Sequence, residues 1–344
     1  MGLAALAIAS GLIFAGAAEA RDYMGVACTT PQIARCTGDA CVPALSNLGN
    51  AVDAKTGRKF FLDYPCDLKP GEKVTFILNI HGAGSIGNWQ RHYFPASDYV
   101  NKYRLVVATP TAATSPTFGP KGPPVRVWVP AADDAHLQNI VDEVTDAFGK
   151  DNIRAFWLAG HSQGGITSQR IVCTPYFAAK VDGLLSLSGG RIGGSHMNPR
   201  FGPPKPDGSP PEPRPGMLGA ATAVPACEFS HIYETGEHEI TDLQATSAWA
   251  EKLGCGPRVK EEDIVDTGAG YVWDYARQGY NVWGMKARPG KAEEYLYSKC
   301  NGGRVVADFV RLDKGHTEGL EPRVAEAIVK LMVSAPGGKI AHGG

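Results

Sequence analysis

The sequence carries almost no net charge: its 34 Lys and Arg are matched by 35 Asp and Glu, leaving −1. Such a balance gives no electrostatic pull toward nucleic acid or an anionic membrane surface, so neither is expected as a partner. No pair of cysteines has the CxxC spacing, and no Cys/His cluster resembles a zinc site. No dinucleotide glycine fingerprint follows a strand-like run, which leaves cofactor-dependent chemistry without support, and no cofactor is expected. There is no internal repeat. What remains is a chain of 344 residues, 43% hydrophobic and 20% charged, long enough for one large globular core.

The opening segment MGLAALAIASGLIFAGAAEA lacks the positive region that usually precedes a secretory apolar core. It does have the core, Leu3 to Phe14, and small residues around Ala18-Glu19-Ala20 before Arg21. Residues 1–20 are therefore expected to be a signal peptide, and a stable membrane span is the weaker reading of so short an Ala- and Gly-rich run. The even count of eight cysteines fits a secreted or periplasmic protein with disulfides. Cys173, on an apolar helix face, reads equally as a buried thiol.

Residues 21–58 form a cysteine-rich extension, and 59–335 read as the main domain. Apolar runs of strand length recur at KFFLDYP, KVTFILNI, YRLVVATP, IRAFWLAG, VDGLLSLSGG, FSHIYETG and RVVADFVRL. Between them Leu137, Ile140, Val141, Val144 and Phe148 mark one helical face. Further helices are expected after Ser162, near 241–253 and over 321–333. Alternating strands and helices, with runs apolar on both faces, predict an α/β protein with a mostly parallel sheet covered by helices. Residues 190–226 break the rhythm with nine prolines, and 264–290 are rich in aromatics; both read as insertions. Residues 336–344 read as a flexible tail.

Gly160-His161-Ser162-Gln163-Gly164 matches G-x-S-x-G between a strand and a helix, the setting in which a serine stands on a strained turn. A serine hydroxyl needs a base. His316, in LDKGHTEG after the last strand, is in the place such a base takes, with His238 as runner-up. The acid should follow the preceding strand, where Glu239 is three residues past Gly236 and Glu237 and Asp242 remain alternatives. The order Ser162, Glu239, His316 is the one such a triad follows in the α/β-hydrolase fold. HGAG at 81–84 suits an oxyanion loop, with donors at the N–H groups of Gln163 and Ala83 or a near neighbour.

These motifs, together with NIHGAGSIGNWQ, WAEKLGC at 249–255 and YSKCNGGRVV leading into DKGHTEG, resemble secreted α/β-hydrolase esterases of the polyhydroxybutyrate depolymerase and feruloyl esterase type. The resemblance covers roughly residues 60 to 330. It implies esterase activity with Ser162 and His316 as nucleophile and base, and a Cys255–Cys300 disulfide. The chain departs from that family in having glutamate where aspartate is usual, and HTEGLEP where the His motif usually continues with Trp-Pro. The aromatic cluster at 270–283 offers Trp273 and Trp283 for gripping an aromatic acyl group or a polymer chain, while the alternation Tyr271, Trp273, Tyr275 reads equally as one packed face of a hairpin. The expected partner is an ester, small or polymeric. An amidase or peptidase with the same triad, and an inactive binding protein of the same fold, are the rival readings.

Overall fold

The computed structural model describes residues 22–29, 47–116, 124–194, 196–202, 205, 207, 209, 211–213, 224–271, 282 and 288–343. The apolar runs become a single eleven-stranded sheet. Its strands are β1 (Ala51–Val52), β2 (Lys59–Asp63), β3 (Val74–Ile80), β4 (Leu105–Pro110), β7 (Ile153–His161), β8 (Gly183–Leu187), β10 (Ser230–Gly236), β12 (Arg258–Lys260), β13 (Ile264–Val265), β14 (Lys291–Tyr297) and β15 (Val306–Leu312). Two small ribbons lie outside it: β5 (Thr114–Pro116) with β6 (Pro124–Arg126), and β9 (His196–Met197) with β11 (Ile240–Asp242).

The strand order is β1-β2-β4-β3-β7-β8-β10-β15-β14-β12, with β13 also on β14. From β4 through β15 every pairing is parallel, whereas β2 and β14 flank that block antiparallel. A parallel sheet must be buried on both faces, and alternate residues show it. Phe76, Leu78 and Ile80 of β3 join one apolar cluster, completed by Leu137, Ile140, Val141 and Val144 of the helix Pro130–Phe148. Ile77, with Ala155, Trp157 and Ala159 of β7, joins the other, under Val324, Ile328 and Val329 of the helix Pro322–Ser334. Each fully buried side chain of this size contributes about 1.5–3 kcal/mol. The architecture is the α/β-hydrolase fold: a mostly parallel sheet, helices on both faces, and the G-x-S-x-G turn at the carboxyl end of a central strand.

Several sequence expectations need revision. The segment 241–253 is not one helix. Ile240–Asp242 is a strand, and only Ala248–Lys252 is helical, capped by the Ser247 hydroxyl on the Ala250 N–H. The C-terminal residues, expected to be loose, turn into a short helix, Lys339–His342, with Ile340 buried and Lys339 Nζ donating to the carbonyls of Val181 and Glu228. The sheet begins inside the N-terminal extension, because β1 pairs with β2. Cys173 is not a free thiol: it is bonded to Cys227, and Cys28–Cys66 and Cys255–Cys300 are the other disulfides among the described residues. Residues 1–20 lie outside the described residues.

Candidate active site

Ser162 follows β7 and precedes the helix Gln163–Ile171, with φ 53° and ψ −120°, a conformation that costs a non-glycine residue free energy. The neighbouring glycines make the turn possible. A Cβ at Gly164 would stand 2.2 Å from the Ile80 carbonyl oxygen, and one at Gly160 would stand 2.3 Å from the Gly164 carbonyl carbon. The Ser162 N–H donates to the Leu187 carbonyl at 2.8 Å, tying the turn to the end of β8. The hydroxyl is thereby raised above the carboxyl edge of the sheet, at the positive end of its helix.

His316 sits in the loop after β15, buried, with Nε2 2.8 Å from Ser162 Oγ. Its Nδ1 donates to Glu239 Oε2 at 2.6 Å. The other Glu239 oxygen accepts the Ser188 hydroxyl at 2.7 Å and the Gly236 N–H at 2.8 Å. Burial pushes the Glu239 carboxyl up, but the His316 ring and the Ser188 and Gly236 donors outweigh it and hold the group below its ordinary value. The structure thus brings Ser162, His316 and Glu239 together. His238 instead pairs with Asp313 at 2.8 Å near the surface, Glu237 accepts the Asp313 N–H, and Asp242 is exposed.

Two further histidines hold the backbone around this line. His161 is buried, and burial together with the neighbouring His316 holds its imidazole well below its ordinary value, so it is neutral. Its Nε2 lies 2.8 Å from the His316 carbonyl, which can only accept, so that nitrogen carries the proton. His81 accepts the Ala112 N–H on Nε2 at 2.9 Å, and therefore donates from Nδ1 to the Gly82 carbonyl at 2.7 Å. Burial lowers it to about 4. The loop it braces faces the serine: a Cβ on Gly82 would lie 3.2 Å from Ser162 Cβ. Neither the Ala83 nor the Gln163 N–H has a hydrogen-bond partner among the described residues. The Gln163 side chain accepts the Trp128 N–H at 3.0 Å, which anchors the start of its helix.

The loop carrying His316 rests on a buried ionic network. Arg311 Nε meets Glu234 Oε1 at 2.5 Å, Arg311 Nη1 donates to the Gly319 carbonyl at 3.1 Å, and Lys314 pairs with Glu321 at 2.8 Å. Glu318 accepts the Gly315 N–H at 2.8 Å, one residue before His316. Burial pushes the Glu234 carboxyl up to about 7 against the pull of Arg311.

Both insertions contribute to the walls. The Phe201 ring stands edge-on to His316 with centroids 5.0 Å apart, and Asn198 binds the Glu239 carbonyl through its N–H at 2.8 Å and the His238 carbonyl through its side chain at 2.9 Å. From the other insertion, the Val282 carbonyl accepts the His316 N–H at 2.8 Å. Trp273 and Trp283 lie outside the described residues. Sequence reading overlooked Ser188 and Tyr93. Ser188, at φ 50°, binds the carboxylate, and the Tyr93 ring lies 3.9 Å from that of His161. The only trace of Ser188 in the sequence was the paired glycine that follows it.

Among the described residues, no group of three or more His, Cys, Asp or Glu is placed to hold a metal ion, and no helix is long and apolar enough to cross a membrane. No protein-family model and no curated protein matches the chain. Solved structures do match. An acetyl xylan esterase from Aspergillus awamori is 12% identical at a TM-score of 0.45, over 81% of this chain and 95% of its own. A poly(3-hydroxybutyrate) depolymerase from Bordetella parapertussis is 15% identical at a TM-score of 0.32, over 60% of this chain and 70% of its own. A butyrate-bound esterase from Thermogutta terrifontis is 18% identical at a TM-score of 0.31, over 53% of this chain and 68% of its own.

Proposed function

We propose that the protein is a secreted serine hydrolase that cleaves a carboxylic ester through an acyl-enzyme. The observation that carries this reading is the unbroken line from a strained serine through His316 to a buried carboxylate, at 2.8 and 2.6 Å. Ser162 Oγ attacks the ester carbonyl while His316 Nε2 takes its proton. Glu239 keeps the imidazole in the tautomer whose Nε2 is free to accept, and stabilises the cation that forms. The N–H groups of Ala83 and Gln163 receive the developing oxyanion, each worth roughly 3 kcal/mol of barrier in a site of this type. His316 then returns the proton to the leaving alcohol, and water repeats the sequence on the acyl-enzyme.

Export is supported by the three disulfides, which persist in oxidising compartments. Trp273 and Trp283 are assigned to the substrate's acyl or polymer chain on sequence grounds alone. The test is turnover of short-chain p-nitrophenyl esters together with labelling of Ser162 by an organophosphate. Labelling at Ser162 with release of nitrophenol is expected; the absence of both from a folded protein would remove the reading.

A further inference from the structure

The strand order sets four segments side by side along one edge of the sheet. The carboxyl end of β7 carries Ser162, that of β3 carries His81–Gly84, and that of β4 runs into Thr111–Ala113. Because β2 runs antiparallel to β4, with Phe60 opposite Pro110, the start of β2 brings Arg58 and Lys59 to the same edge. There a cavity of about 340 Å³ opens, with Thr111 in its buried floor and Arg58, Lys59 and Arg126 in its wall.

Among the described residues, no acidic side chain lines this cavity. Asp133 lies behind it, taking Arg58 at 2.7 Å and the Ala113 N–H at 3.0 Å, so Arg58 is already neutralised. Lys59 and Arg126 have no acidic partner among the described residues; Arg126 spends one nitrogen on the Ala112 carbonyl at 3.0 Å. The cavity wall therefore carries two surplus positive charges over a largely apolar lining. Two of its lining residues are hydrogen-bonded to the oxyanion loop. The Arg126 carbonyl accepts the Gly84 N–H at 2.8 Å, and Ala112 binds His81. Strand spacing of about 4.8 Å puts β4 roughly 10 Å from β7.

We propose that this cavity, which lies between the ends of β2 and β4, is a subsite for a carboxylate carried by the ester substrate, two to three strand spacings, or roughly 10–14 Å, from the scissile carbonyl. The inference rests on the ester reading above and adds the substrate's charge to it. An acidic group there meets the Arg126 fork and the Lys59 ammonium, whereas a neutral chain of equal length gains neither and leaves both cations in water.

The experiment compares p-nitrophenyl monoesters of suberic, sebacic and dodecanedioic acid with the same compounds methylated at the free acid. Wild type, Lys59→Gln, Arg126→Gln and the double variant are assayed at low and high sodium chloride. Lys59 is exposed and without an ion pair among the described residues, so its variant tests the idea even if Arg126→Gln fails to fold. The acidic esters are expected to be favoured in kcat/KM by roughly fivefold for each cation engaged. That preference should fall stepwise in the variants and shrink with salt, while rates on the methylated esters stay unchanged in Lys59→Gln. An acid-to-neutral ratio equal in wild type and Lys59→Gln overturns the subsite. So does inhibition by inorganic phosphate that vanishes in the variants with no preference for acidic esters, which would make the cavity a site for free anions. If the methylated esters are not turned over at all, the ester reading fails. The subsite then stands or falls on calorimetric binding of suberate to wild type against Lys59→Gln.

Discussion

Replacing Glu239 by glutamine tests the orientation of His316 more sharply than deleting the side chain, because it keeps the shape and changes only one hydrogen-bonding role. In the native arrangement one carboxylate oxygen accepts from His316 Nδ1, and the other accepts from the Gly236 N–H and the Ser188 hydroxyl. Glutamine has one acceptor and one donor group to place at these two positions. The Gly236 N–H cannot stop donating, whereas the Ser188 hydroxyl can rotate and His316 can exchange tautomers. Putting the amide NH2 against Gly236 faces two donors in a buried site, at a cost of about 1–3 kcal/mol. The amide oxygen therefore stays at Gly236, and the NH2 faces Nδ1. His316 must then carry its proton on Nε2, against Ser162, where it can no longer act as base. The expected loss in kcat is about 10⁴-fold, the size of a wrong-tautomer defect in a triad of this kind. Steady-state hydrolysis of p-nitrophenyl acetate measures it, with circular dichroism and a urea melt to show that the fold is intact. A Glu239→Gln enzyme within tenfold of wild type would refute the tautomer argument.

Ser188→Ala removes a charge-assisted donor to Glu239 and should cost about 1.5–3 kcal/mol of stability at neutral pH. Because Glu239 is held below its ordinary value of 4.5, this contribution is present above that pH and is lost as the pH falls through the folded-state value. Urea melts of wild type and variant should therefore converge on acidification, and a gap that widens would contradict the assignment. Gly164→Ala places a methyl group 2.2 Å from one backbone oxygen and 2.7 Å from another, so at least about 1–3 kcal/mol of stability should be lost along with activity. A Gly164→Ala protein that melts like wild type would mean the β7 turn is looser than described. Converting Cys255 and Cys300 to serine opens a crosslink spanning 45 residues, with a chain-entropy cost of about 4 kcal/mol, to be read from the urea midpoint. No change in midpoint would show that the bond does not form in the folded protein.

Much of this site is legible in the sequence because its parts are tied to strong local signals. The Ser162 turn lies between an apolar strand and a glycine-rich helix start, and Glu239 follows the last residue of β10 at a fixed offset. The rest was hidden for physical reasons. β14 reads KAEEYLY: it lies toward the edge of the sheet, carries Lys291 and Glu293 in ion pairs with Asp263 and Lys260, and shows no continuous apolar run. Thr241 and Asp242 read as the start of a helix because the partner of their strand, β9, lies more than forty positions earlier inside the proline-rich insertion. Ser188 escaped notice because its role depends on tertiary placement against Glu239 rather than on any motif. Lys59 and Arg126 are 67 positions apart and meet only because β2 runs against β4.

The most direct test of the central claim is p-nitrophenyl acetate hydrolysis by the folded protein beside its Ser162→Ala variant, with mass spectrometry of the organophosphate-treated wild type. The account predicts turnover in wild type, an adduct on the peptide containing Ser162, and loss of both in the variant. Equal turnover by the two proteins, or an adduct elsewhere, would contradict it.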